Sequence, residues 1–253
     1  MSHGSLRRAA AFGDRTFDGL AAMMPPRSDS AFPGTGPEPV TMRRTGFVTL
    51  TILSLGVAGY ALVAYGLLPL GAVVHPDMRP TFEAHSRLTL YVHVFAAALA
   101  LALGPFQFVA RLRSRLPALH RGSGRLYLGV GVGLGGLAGL VVAFNAFGGP
   151  VARVGFACLA VSWLVTGFNA YRAIRAGDVA LHRRWMVRNF ALTLAAVTLR
   201  LWLPGLVALG IPMDVAYPLI AWLCWVPNLI LAERLFNRRE PLRARPTPAS
   251  GSG

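Results

Sequence analysis

Residues 46–70 read GFVTLTILSLGVAGYALVAYGLLPL, a run of mostly apolar and small residues that contains no charge. About 20 such residues in a helix are long enough to cross a hydrocarbon core about 30 Å thick. Because a bilayer core offers no water to backbone amides, the stretch must satisfy its own hydrogen bonds, and a helix does this. The stretch therefore predicts a membrane-spanning helix.

Five more stretches of similar length and composition follow. They are Leu88–Ala110, Arg125–Phe147, Val151–Ala173, Trp185–Leu209 and Met213–Leu235. Together with Gly46–Leu70 they predict an all-α fold, an integral membrane six-helix bundle occupying residues 43–238. The segments 1–42 and 239–253 are rich in Gly, Pro, Ser and Arg without an apolar helical period, which predicts disordered tails.

The arginines alternate between the two sides of this bundle. The 25 basic residues are all arginine, against ten acidic residues. Seventeen arginines lie in the tails and loops of one side (43–44, 111–125, 172–188 and 234–245), and three lie on the other (79, 87 and 153). By the positive-inside rule, both termini are expected in the cytoplasm of a bacterial cell, with the protein in the inner membrane. The net charge of +15 then serves topology and contact with the lipid bilayer. No aromatic-rich basic module accompanies it, which argues against a nucleic-acid partner.

Arg200 is the most unusual polar residue within a predicted span. At 1.5 Å per residue it lies about 9 Å below the outer surface, where a charge costs at least about 2.5 kcal/mol on insertion scales. One interpretation is a side chain that reaches the outer headgroups or pairs with Asp214. The other is a clamp for an anionic group, such as a haem propionate or a substrate carboxylate. His93 has nearly the same depth, so the two side chains could share a site.

His120 and His182 form a second candidate pair. Each directly precedes an arginine at the cytoplasmic mouth of a predicted helix, in LHRGSGRLY and LHRRWMVRNF. Two imidazoles from different helices could be axial ligands of one haem iron, with arginines pairing its propionates. The alternative is a pair of ordinary histidines at headgroup level.

Three histidines near the outer side, His75, His85 and His93, could bind a transition metal, because neutral imidazole suits Zn, Cu or Fe. Ordinary interfacial polar residues are the alternative. The two cysteines, Cys158 and Cys224, lie inside predicted helices and are interpreted as packing residues.

Several blocks resemble a bacterial membrane-protein family known as domain of unknown function 2306. These blocks are His93 through GPFQF (104–108), HR (120–121) with GRLY (124–127), HRRWM (182–186) through RN (188–189), and WLCW (222–225) through PN (227–228). The resemblance covers residues 46–236 and implies no activity, because the family is uncharacterised.

The architecture is also similar, more distantly, to the cytochrome b561 group of six-helix di-haem electron carriers. In that group, ligands pair between the second and fourth helices and between the third and fifth. The resemblance implies a haem pair of His120 with His182. His93 on helix two has no histidine partner on helix four, so at most one b-type haem, on the cytoplasmic side, is implied.

Three function classes remain open. The leading one is a b-type haem electron carrier with a quinone or another redox partner. The second is a transporter of a small anion that uses Arg200. The third is a non-catalytic assembly subunit or oligomer, in which the many glycines of helix three permit close packing. No phosphate-binding Gly loop, nucleophile elbow or zinc-protease motif occurs in the sequence, and whether the protein is an enzyme stays open.

Overall fold

A computed structural model describes residues 44–69, 72, 75–80 and 87–236. Within these residues the chain is all-helical, and six helical segments are long and apolar enough to cross a membrane. The predicted six-helix membrane fold is confirmed. The predicted tails, residues 1–42 and 239–253, lie outside the described residues, and so does His85.

We number the segments as spans 1 to 6. Span 1 is Arg44–Gly66, and span 2 is Arg87–Leu103 followed by the 3-10 turn Pro105–Phe108. Span 3 joins three helical segments, Pro117–Leu126, the π-helical Tyr127–Leu134 and Gly135–Ala143, and span 4 is Gly149–Arg175. Span 5 joins Val179–Thr193 and Ala195–Ala208, and span 6 joins Met213–Leu223 and Val226–Phe236. A short helix, Ala110–Arg115, connects spans 2 and 3. It lies on the arginine-rich face of the bundle, and the links between spans 1 and 2, 3 and 4, and 5 and 6 lie on the arginine-poor face.

Spans 3 and 5 begin earlier than the sequence predicted. Span 3 starts at Pro117, where a proline without an N–H is tolerated in the first turn. Span 5 starts after Asp178, whose carboxylate accepts a hydrogen bond from the Leu181 N–H at 2.8 Å as an N-cap. The predicted starts were wrong because arginines lower the local hydropathy although the helix continues past the bilayer edge. His120 and His182 therefore lie inside helices and not before them.

Small residues bring spans 2 and 3 into close contact. A Cβ on Gly131 would lie 2.8 Å from Ala100 Cβ, and one on Gly135 would lie 3.0 Å from Ala96 Cβ. Gly136 and Gly139 likewise abut Leu164 and His93. These four glycines of span 3 are used in packing within the chain, so they give no support to a glycine seam between two copies.

Spans 5 and 6 are each interrupted near the middle, at Leu194 and at Cys224–Trp225. The Thr198 hydroxyl donates to the Cys224 carbonyl, and the Asn228 amide donates to the same carbonyl at 2.9 Å. Asn228 also donates to the Ala191 carbonyl at 3.3 Å. Side chains of one span thus satisfy backbone groups of the other, as irregular backbone inside a membrane requires.

Large apolar side chains point away from the bundle along most of its length. Examples are Ile52, Leu137 and Phe168, with 64%, 59% and 60% of their surface exposed. A water-soluble protein of this size would bury such residues, whereas lipid tails are a suitable solvent for them. The chain is a multi-pass membrane protein whose outer surface contacts the bilayer.

Candidate functional site: two histidine regions and a cavity

A cluster of polar side chains lies in the bundle core, where spans 3, 4 and 5 meet. We call it the core polar cluster; its members are Tyr127, Trp163, Thr166, Asn189 and Thr193. The Tyr127 hydroxyl donates to Asn189 Oδ1 at 2.7 Å, and the Asn189 amide donates to the Trp163 carbonyl at 2.8 Å and to Thr166 Oγ1 at 2.9 Å. The Trp163 indole donates to Thr193 Oγ1 at 2.9 Å. Each side chain has a partner within the cluster, so the cluster fixes the packing of spans 3, 4 and 5 against one another.

A cavity of about 360 Å³ opens in the arginine-poor half of the bundle. Its lining is mainly apolar and includes residues of all six spans. The polar side chains on its wall include Tyr60, Tyr65, His93, Thr193, Arg200 and Tyr217. A mainly apolar cavity with a few convergent polar groups is the usual form of a small-molecule site.

Arg200 lines this cavity and is half-buried. Its Nη1 donates to the Ala196 carbonyl at 2.9 Å, and its guanidinium lies 5.3 Å from the centre of the Tyr60 ring. Among the described residues, no carboxylate lies within ion-pair distance of it. Of the alternatives for Arg200, the pair with Asp214 does not form: Asp214 is exposed at the start of span 6 and lines an adjoining depression.

His93 lines the same cavity as Arg200. His93 Nδ1 lies 2.9 Å from the Gly135 carbonyl oxygen. Because a carbonyl only accepts, Nδ1 carries the proton of this bond, and Nε2 is left as the ring nitrogen for a ligand. A Cβ at Gly139 would come within 2.6 Å of the ring, so a glycine there makes room for the imidazole. Whether His93 and Arg200 bind a cofactor stays a prediction.

His120 and His182 lie together at the arginine-rich face, on spans 3 and 5. His182 Nδ1 bonds to the Ala170 carbonyl of span 4 at 2.8 Å, which again leaves Nε2 for a ligand. His120 lies within electrostatic range of His182, and its Nδ1 is buried without a hydrogen-bond partner. His182 thus resembles His93 in having Nδ1 held by a backbone carbonyl, but it lies in the opposite half of the bundle.

The predicted outer histidine group does not form a metal centre in the described part of the chain. His75 contacts Asp77 at 3.5 Å in the exposed link between spans 1 and 2. No group of three or more His, Cys, Asp or Glu residues capable of holding a metal ion occurs among the described residues. His85 falls outside them, so its part in the prediction is untested.

Glu233 in span 6 pairs with Arg188 of span 5. The Arg188 guanidinium donates through Nη2 to Glu233 Oε2 at 3.0 Å and through Nε to Oε1. It also lies 4.5 Å from the Trp185 ring centre. A two-point pair of this kind links two spans near the arginine-rich face.

Residues 90–236 match the family model described as predicted membrane protein, domain of unknown function 2306. The chain belongs to this family. The matched residues run from the first turn of span 2 to the end of span 6 and include His93, His120, His182 and Arg200. No curated protein and no solved structure matches the chain. The distant similarity to cytochrome b561 is therefore still a prediction.

The core polar cluster as a whole could not be recognised from the sequence alone. Thr166 and Thr193 give no signal, because a threonine in a helix satisfies itself on a preceding carbonyl, as Thr193 does on that of Asn189 at 2.9 Å. Tyr127 is fully buried, although tyrosines in membrane proteins are frequent at the interfaces. A signal was available in the spacing of Asn189 and Thr193, four residues apart on one helical face.

Proposed function

We propose that the protein is a membrane-embedded electron carrier that holds a b-type haem between His120 and His182. The observation that carries the proposal is the pairing of two imidazoles from different spans, one of them oriented by a backbone carbonyl and the other with an unpartnered buried nitrogen. Metal-bound histidines usually have their second ring nitrogen held in this way.

The donor chemistry at this site fits a haem. The His182–Ala170 bond fixes the Nδ1–H tautomer, and Nε2 of a neutral imidazole is then a lone-pair donor. His120 has no protein partner at Nδ1, so this nitrogen is the part of its ring that a ligand could satisfy.

Arginines supply the charge that the edge of a haem needs. Arg113 and Arg121 both lie close enough to His120 to act on it electrostatically. Guanidinium groups pair with carboxylates such as haem propionates through two parallel hydrogen bonds. The protein would thus hold the iron from spans 3 and 5 and hold the propionates from the arginine-rich face.

A b-type haem supplies one-electron redox chemistry when bound. The chain's own part would be to present the two imidazoles and neutralise the propionates. A quinone or another redox protein is the proposed electron partner. The site lies on the face that the arginine bias predicts to be cytoplasmic, in a bacterial inner membrane. Protease access to a C-terminal tag in sealed inside-out vesicles checks that orientation, since a protected tag would contradict it.

The haem proposal is tested by a reduced-minus-oxidised visible spectrum of the detergent-purified protein, with haem quantified per chain. We expect a sharp b-type band and about one haem per chain. His120→Ala and His182→Ala should each abolish or shift the band, while His75→Ala, in an exposed loop, should leave it unchanged. Equal haem content in all three variants, or no band after expression with ample haem, would refute the assignment.

Transport of a small anion is the second candidate function, and a different observation favours it. Arg200 lines a cavity to which spans 5 and 6 both contribute residues. A membrane-embedded arginine that faces a cavity is a candidate element of an anion pathway. This candidate depends on the arginine-poor half of the bundle and not on His120 or His182.

A further inference from the structure

The cavity in the arginine-poor half places a charged side chain beside apolar surface. Its wall is mainly apolar, yet it contains the guanidinium of Arg200. Arg200 lies eight residues before the end of span 5 at Ala208, which is about 12 Å along the helix. A lone cation at such a depth is costly and usually faces a counter-charge or a polar cavity.

The protein supplies only part of what this guanidinium needs. Arg200 has five N–H donors, of which one bonds to the Ala196 carbonyl, while the Tyr60 ring lies 5.3 Å from its carbon. In the part of the chain that the structure describes, no carboxylate forms an ion pair with Arg200. An anionic group in the cavity would supply the missing counter-charge through a charge-assisted, two-point hydrogen bond.

The apolar part of the cavity wall indicates what kind of group the rest of the ligand should be. Aromatic and aliphatic side chains such as Phe156, Leu199 and Leu203 surround the space next to Arg200. A small inorganic anion would leave this apolar surface uncovered. An organic acid with an apolar body would cover it, with a gain of about 25 cal/mol per Å² of apolar surface removed from water.

Charges at the membrane edge favour the same choice. A depression of about 400 Å³ shares His75 and Phe147 with the cavity and is also lined by the carboxylates of Asp77 and Asp214. A fully hydrated anion arriving from water would meet those two carboxylates first. An amphipathic acid can instead partition into the bilayer and approach the exposed side of the bundle.

We propose that the cavity between His93 and Arg200 binds an amphipathic organic carboxylate. Arg200 holds the carboxylate, the apolar wall holds the body, and His93 Nε2 accepts a hydrogen bond from a hydroxyl group on ligands that carry one. The site is independent of the haem proposal, because His93 and Arg200 lie in the opposite half of the bundle from His120 and His182.

The test is equilibrium dialysis of the full-length protein in detergent against radiolabelled benzoate, with benzamide as the neutral compound of the same shape. We expect saturable binding of benzoate and at least about tenfold weaker binding of benzamide, since only the carboxylate pairs with a guanidinium. 4-Hydroxybenzoate should bind more tightly than benzoate, and His93→Phe should remove that difference. Acetate, which lacks the apolar body, should bind much more weakly than benzoate.

Two variants localise the binding. Arg200→Gln should weaken benzoate binding at least about tenfold, whereas Arg153→Gln, which removes an exposed arginine at the same face, should not. Arg200→Lys, which keeps the charge, should bind more tightly than Arg200→Gln and serves if the latter fails to fold. Equal affinity for benzoate and benzamide in the parent protein would overturn the proposal, as would equal benzoate binding by the Arg200 and Arg153 variants. Haem absorbance, recorded on the same samples, should be equal in the parent protein and in the Arg200 and Arg153 variants. Failure of the carboxylate site is thus distinguished from failure of the haem site.

Discussion

The core polar cluster and the cavity are neighbours, and they treat polar groups in opposite ways. In the cluster, Asn189 uses its amide for three hydrogen bonds, and Tyr127 is completely enclosed with it. In the cavity, Arg200 and His93 are each held on one side by a backbone carbonyl and face open space on the other. Polar residues within the bundle are thus of two kinds: those whose partners are all in the protein support the fold, and those held on one side only are the ones that we propose to meet a ligand.

The largest effect is expected in the cluster. Asn189→Leu leaves the Tyr127 hydroxyl and the Trp163 carbonyl without their amide partner, so it should lower the free energy of unfolding by about 2 kcal/mol or more. The measurement is a denaturation midpoint in detergent micelles. Asn145→Leu is the matched control, since Asn145 is exposed near the end of span 3, and it should change the midpoint little. Equal midpoints for Asn189→Leu and the parent protein would show that the cluster does not support the fold.

Trp163 belongs to both the core polar cluster and the cavity wall. Its indole N–H points at Thr193, while its ring is part of the cavity wall. Trp163→Phe removes one buried hydrogen bond and should lower the free energy of unfolding by about 1 kcal/mol. Trp202→Phe, at a half-exposed site in span 5, should have no such effect. Benzoate affinity should stay within about threefold of the parent value, because Phe retains most of the apolar wall; a tenfold loss would place the indole N–H in the ligand site.

The smallest effect should have the opposite sign. Arg200→Met removes a membrane-embedded charge that has no carboxylate partner among the described residues, so the ligand-free protein should become more stable by about 1 kcal/mol. The same substitution at Arg153, which is exposed, should leave the denaturation midpoint unchanged. If Arg200→Met proves as destabilising as Asn189→Leu, Arg200 belongs to the fold and not to a ligand site.

The six spans could be predicted from sequence because membrane insertion depends on the apolar content of about 20 consecutive residues, which is a local property. The shared depth of His93 and Arg200 could also be predicted, since helical rise converts position into depth. The starts of spans 3 and 5 could not, because Arg121 and Arg183 are read as loop residues although helices continue through them.

The cavity could not be predicted from the sequence. Its empty space results from how all six spans pack, and no single residue determines it. The pair Arg188–Glu233 was missed for a similar reason, since its members are 45 residues apart and meet only when spans 5 and 6 pack together. The partners of Arg200 were likewise a matter of packing: proximity along the chain suggested Asp214, and the structure gives Ala196 and Tyr60.

Two short turns, at Leu194 and at Cys224–Trp225, separate the halves of spans 5 and 6. Beyond them, Ala195–Ala208 and Met213–Leu223 carry Arg200 and Tyr217, two groups on the cavity wall. Asn189 and Thr193 lie before the turn in span 5. The hydrogen bonds from Thr198 to the Cys224 carbonyl and from Asn228 to the Ala191 carbonyl cross between the spans beside these turns. Thr198 and Asn228 thus brace the half of the bundle that contains the core polar cluster against the half that contains Arg200.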